Sequence, residues 1–167
     1  MPSAATSTRT TGTSHRFAPV LLRAGITTAI VDGLWACVLT LAYGRTIMRL
    51  WQGVASTPFG PSMFDGGVPT MLVGIGLHVV TAFTWSAVFL VAASRMSWLR
   101  RTIATPAGIS VVAAVYGPCV WAFMSLVVIP LLSHSPTAIT ARWFIQLAGH
   151  AVFVGPPIVW SVARGTR

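Results

Sequence analysis

The sequence predicts an all-α membrane protein: a four-transmembrane-helix bundle with an additional interfacial amphipathic helix between helices 1 and 2. Three observations lead there. Four apolar runs are each long enough to cross a bilayer, the charges sit mainly at the ends of those runs, and one connecting segment repeats its apolar residues at helical spacing. Hydrophobic residues make up 54% of the 167 and charged residues 8%, where a soluble domain carries about 25% charged. The basic residues are all Arg, Lys and Glu are absent, and the acids are Asp32 and Asp65. A net charge of +9 raises nucleic acid as a partner, but the Arg residues flank apolar runs and form no stripe along a face. Anionic lipid head groups suit that placement better. Membrane lipids are therefore the expected partners, no nucleic acid is expected, and a homo-oligomer is left open.

Residues 1–16, MPSAATSTRTTGTSHR, are rich in Ser, Thr and Ala without apolar periodicity, and read as a disordered cytoplasmic tail. Residues 17–167 read as one four-helix domain with approximate spans 18–44, 69–94, 105–132 and 141–164. About 20 helical residues cross the hydrocarbon core, so each run suffices. The runs are continuous rather than alternating, which favours helices over a barrel. Run one is longer than a signal-peptide core and contains Arg23 and Asp32, so a retained helix is expected rather than a cleaved leader. Arg23 lies near its start, where it can snorkel to the interface.

Between helices 1 and 2, RTIMRLWQGVAS (45–56) places Ile47, Leu50, Trp51 and Val54 on one face and Arg45, Arg49 and Gln52 on the other. That is the pattern of a helix lying in the interface, either a connector over the bundle end or a lid. TPFGPSMFDGGVP, which follows, reads as turns. Pro118 in helix 3 and Pro156-Pro157 in helix 4 predict bends. Cys37 and Cys119 read as buried free thiols.

Arg9, Arg16, Arg23, Arg95, Arg100, Arg101, Arg164 and Arg167 fall on one side of the membrane, and Arg45, Arg49 and Arg142 on the other. The positive-inside rule then puts both termini in the cytoplasm. Abundant Arg and Ala without Lys or Glu fit a GC-rich genome, and a bacterial cytoplasmic (inner) membrane is the expected location. Trp98, Trp143 and Trp160 near helix ends read as interfacial anchors.

Ionisable groups inside spans are costly and face the bundle interior. Asp32, His78 and His150 lie in helices 1, 2 and 4, about eleven, eight and nine residues from the outer ends of those helices. At 1.5 Å per residue all three fall roughly 12–17 Å below one boundary. Arg142, Gln146 and His150 share a stripe of helix 4, Thr28, Asp32, Ala36 and Thr40 one of helix 1, and Gly74, His78, Ala82 and Ser86 one of helix 2. Tyr116, Trp121 and Ser125 of helix 3 lie near the same level, and Trp121 is placed to pack on an imidazole. The candidate polar site is thus Asp32, His78, His150, Gln146 and Arg142, with Arg142 at the outer mouth.

Three uses are open: structural glue or a seat for a small polar species, a proton or ion relay through Asp32, His78 and His150, and haem or metal ligation by His78 and His150. No CxxCH or further ligand set accompanies the two histidines, so no cofactor is expected. His134, in the loop SHSPT, reads as solvated, and His15 as part of the tail. Hydrolase, zincin and P-loop motifs are absent, and with no Glu and one embedded Asp paired-carboxylate chemistry has no partner. The chain does not read as an enzyme.

GIGLHVVTAFTWSAVF in helix 2 and IPLLSHSPTAITARWFIQLAGHAVF from helix 3 into helix 4 resemble the YagU-like group of uncharacterised bacterial inner-membrane proteins. The matching positions are His78, Pro130-Leu131 and Gly149-His150, within residues 70–155; the long segment between helices 1 and 2 departs from the pattern. The resemblance implies the four-helix topology and a polar site at those histidines, with no assigned activity.

Overall fold

The structure, a computed structural model, describes residues 14–165 and is helical without strands among them. Eight α-helices follow in order among these residues: α1 Ser14–Ala42, α2 Ile47–Phe59, α3 Gly67–Arg95, α4 Ser97–Thr102, α5 Pro106–Phe123, α6 Ile129–Ser133, α7 Ala141–Phe153 and α8 Gly155–Gly165. Four helical stretches are long and apolar enough to cross a membrane: Phe17–Ala42, Gly67–Arg95, Pro106–Ser133 and Ala141–Gly165. They match the four expected runs to within a few residues, the layout of a multi-pass membrane protein. Most of the expected N-terminal tail, residues 1–13, lies outside the described residues, whereas Ser14–Arg16 open α1.

The outward surface supports the same conclusion. Leu22, Ile26, Ile30, Leu34 and Val38 form an exposed i, i+4 stripe along α1, and Leu72, Val80, Val111, Val115 and Leu126 stand exposed on α3 and the α5 stretch. Water would penalise so much apolar surface, and acyl chains do not.

Backbones approach closely at α1–α3, α1–α8, α5–α7 and α5–α8, and sparsely at the α3–α5 seam. Glycines permit the close approaches. A Cβ at Gly117 would overlap the His150 carbonyl, one at Gly155 the Ala113 carbonyl, and one at Gly74 the Trp51 carbonyl. Aromatic side chains span the wider seam: Trp85 meets Phe123 at 5.5 Å, Phe89 meets Tyr116 at 4.7 Å, and the Tyr116 hydroxyl donates to the Trp85 carbonyl at 2.7 Å. One end of the bundle, beside α4, is solid: Leu90, Leu99, Ile103, Val159 and Val162 pack there into a buried apolar cluster. Helix α4 interrupts the loop expected between helices 2 and 3, and its Arg100 donates to the Ala93 and Ser94 carbonyls at the end of α3.

The other end is spanned by α2. Gly44 and Gly60, both at positive φ, turn the chain on either side of it, and the Thr46 hydroxyl caps it by accepting from the Arg49 amide at 3.3 Å. The helix continues through Pro58 to Phe59, past the expected boundary at Ser56, and a 3₁₀ turn, Pro61–Phe64, follows. Its faces differ from the expected ones. Gln52 is fully buried and donates to the Gly67 carbonyl (3.1 Å) and the Thr70 hydroxyl (3.3 Å), while Ile47 is exposed. Hydropathy assigns Gln52 outward; two acceptors at the start of α3 draw it inward.

The third spanning stretch does not break at Pro118, which is absorbed within α5, but widens into a π turn at Met124–Val128. Ile129 donates to the Met124 carbonyl, five residues back. The next such bond would join residue 130 to the Ser125 carbonyl, and residue 130 is proline, with no N–H to give. The Thr137 hydroxyl donates to that carbonyl instead, and Trp143 Nε1–H donates to Ser125 Oγ at 3.0 Å. Trp143 is therefore an internal joint rather than an interfacial anchor, while Trp98 and Trp160 are exposed as expected. Thr137→Val should cost about 1 kcal/mol in detergent melting by orphaning the Ser125 carbonyl; a Ser135→Ala control should melt like the parent.

The fourth stretch divides at Val154, just before the expected Gly155-Pro156-Pro157. Arg23, expected to snorkel, donates its guanidinium to the Ser161 carbonyl of α8. Cys37 and Cys119 are free, but Cys119 is exposed on the helix surface rather than buried.

Candidate functional site

A chamber of about 310 Å3 lies between the apolar plug and α2, and Asp32, His78, Gln146 and His150 all line it. Its walls are mainly apolar and include Trp51, Trp85 and Trp121. The polar groups arrive from three elements: Asp32 and Thr28 from α1, His78 from α3, Gln146 and His150 from α7. The common depth read from the sequence is thus a common cavity.

His78 is fixed on three sides. Its Nε2 lies 3.0 Å from the Ala29 carbonyl, and a carbonyl only accepts, so Nε2 carries a proton. The Trp51 ring stands 5.2 Å from the imidazole. Nδ1 faces Asp32 Oδ2 at 3.9 Å, within ion-pair range but too long for a direct hydrogen bond. The remaining gap suits a bridging water or a ligand atom.

His150 is arranged differently. Its Nδ1–H donates to the Gln146 carbonyl of its own helix at 2.8 Å, which leaves Nε2 as the ring's acceptor. Trp121 covers the ring at 4.9 Å, as expected from the sequence, and its Nε1–H donates to the Trp143 carbonyl at 3.1 Å. The Gln146 Oε1 accepts from Trp35 Nε1 at 2.9 Å, and Trp35 stacks on Phe153 at 4.7 Å. Thr28 Oγ1, buried at the chamber wall, has no hydrogen-bond partner among the described residues.

Several expected members of the layer sit elsewhere. Arg142 does not line the chamber; its guanidinium stacks 5.0 Å over Tyr43 and borders a neighbouring pocket with Arg45 and Arg49. It shares a stripe with Gln146, but it stands in the first turn of α7, where the facing element is the end of α1. Tyr116 and Ser125 are consumed by the bonds between helices described above. Leu50 on α2 lines both the chamber and the neighbouring pocket.

Bis-histidine ligation fits poorly. Nε2 of His78 is engaged by the Ala29 carbonyl and Nδ1 faces Asp32, so a metal would have to displace the Ala29 contact or enter between His78 and Asp32. Among the described residues no group of three or more His, Cys, Asp or Glu is placed to hold a metal ion. The arrangement presents one carboxylate, two imidazoles with fixed tautomers, a primary amide and an orphan hydroxyl around an aromatic-walled space. That is a recognition site in form: a mainly apolar cavity with few convergent polar groups.

No family model, no curated protein and no solved structure matches this chain.

Proposed function

We propose that the protein is a bacterial cytoplasmic-membrane binding protein whose chamber takes a small amphipathic organic cation. One observation carries this reading: Asp32 brings a carboxylate into a space that no arginine among the described residues lines, in a chain without lysine, beside the indoles of Trp51, Trp85 and Trp121. Carboxylate and indole faces together attract an ammonium group, each cation–π contact contributing about 0.5–2 kcal/mol. The apolar remainder of the lining accommodates the ligand's hydrocarbon part. By the arginine distribution the termini face the cytoplasm. The chamber then lies toward the outer face, with α2 in the interface as its cover.

Unbroken conduction is disfavoured because the apolar cluster closes the far end. Kinship with the YagU-like group, carried by His78 and Gly149-His150, is part of the proposal and adds no activity of its own.

The test is equilibrium binding of benzyltrimethylammonium to the purified chain in maltoside micelles. Saturable binding is expected, weakened about tenfold or more by Asp32→Asn and unchanged by Asp65→Asn. Equal affinity in the parent and Asp32→Asn would refute the reading.

A further inference from the structure

Beside the chamber, at the α2 end, lies a second pocket of about 530 Å3 bordered by Thr40, Arg45, Thr46, Arg49, Phe64 and Arg142. We propose that it binds a phosphate group. Three arginines line it, and no carboxylate among the described residues borders the pocket or pairs with them; Asp32 faces His78 in the chamber.

Two of the three are held in place before any ligand arrives. Arg49 donates to the Phe64 carbonyl at 3.3 Å and lies 5.3 Å over the Phe64 ring. Arg142 is stacked on Tyr43. The Arg45 guanidinium makes no hydrogen bond or ion pair among the described residues, and is free to close on an anion. Thr40 gives a second, independent indication. The residue is 1% exposed and lines this pocket, and its buried hydroxyl has no hydrogen-bond partner among the described residues. A buried hydroxyl without a partner costs about 1–3 kcal/mol, and an anion oxygen would satisfy it.

The helix directions add to the field. α2 and α7 both begin at this pocket, presenting the positive ends of their dipoles. Forked donors from several sides suit a phosphate with several oxygens better than a single carboxylate. The rim is apolar, with Leu41, Tyr43 and Ile47 exposed beside the arginines, so a lipid head group or a soluble phosphate presents the same chemistry.

The experiment titrates the full chain in maltoside micelles with inorganic phosphate in one arm and phosphatidylglycerol in the other, by calorimetry. Saturable binding in the parent is expected, falling about tenfold or more in each of Arg45→Gln, Arg49→Gln and Arg142→Gln, and unchanged in Arg164→Gln at the opposite end. Arg45→Gln is the decisive variant, since that guanidinium bonds nothing among the described residues and its loss leaves the packing between helices intact. Binding of phosphatidylglycerol without inorganic phosphate identifies a lipid head group as the source; binding of inorganic phosphate identifies a soluble one. No saturable binding in either arm, or equal binding in the parent and Arg45→Gln, overturns the proposal.

Discussion

Gly117→Val is expected to destabilise the bundle by about 3 kcal/mol. At this position α5 touches α7 with no side chain between them, and even a methyl would occupy the space of the His150 carbonyl. The two helices would have to part, and the Gly155–Ala113 approach on the adjoining α5–α8 seam would be strained with them. Lipid offers no hydrophobic penalty that would press the helices back together, so packing sacrificed at this seam is not recovered elsewhere. SDS-driven unfolding in maltoside, followed by tryptophan fluorescence, reads the change. Superimposable curves for parent and variant would show that α5 and α7 do not meet at Gly117.

Trp121→Ala should rank second, at about 2–3 kcal/mol. This indole covers His150, and its N–H reaches the Trp143 carbonyl, while Trp143 in turn ties α7 to the π turn. Removing it opens one chamber wall and leaves the His150 ring without its aromatic cover. Trp98→Ala and Trp160→Ala, at exposed indoles, should stay within about 0.5 kcal/mol of the parent. The same unfolding assay compares all three, and the benzyltrimethylammonium affinity of Trp121→Ala should fall alongside its stability. If the three variants unfold alike, the Trp121–Trp143 joint has no structural weight.

The fold is readable because the signals behind it are one-dimensional. Run length and the placement of charge set the four spans, and the prolines after Gly155 announce the break that divides α7 from α8. The π turn is less visible. Its cause is a relation between Ser125 and Pro130 that takes effect only where Thr137 returns to fill the vacant acceptor. Counting residues from the helix ends places Asp32, His78 and His150 at one level, and all three do line one cavity. Depth does not give rotation about each helix axis, which is why it groups Arg142 with the chamber although that side chain faces Tyr43. Gln52 misleads for a related reason: hydropathy sends a polar side chain to solvent, whereas two acceptors at the start of α3 are its partners. The arginine pocket has a sequence trace, Arg45 and Arg49 four residues apart at the start of α2, but the approach of Arg142 from the far end of the chain is a tertiary fact.

Leu50 sets a relation between the two compartments. One side chain forms part of the wall of each, so a guest that shifts it in one alters the room left in the other. Whatever factor an occupied arginine pocket imposes on uptake next door, the reverse influence must have equal size, because equilibrium binding energies close a cycle. A leucine on a short covering helix would then act as a partition through which two unlike guests sense each other.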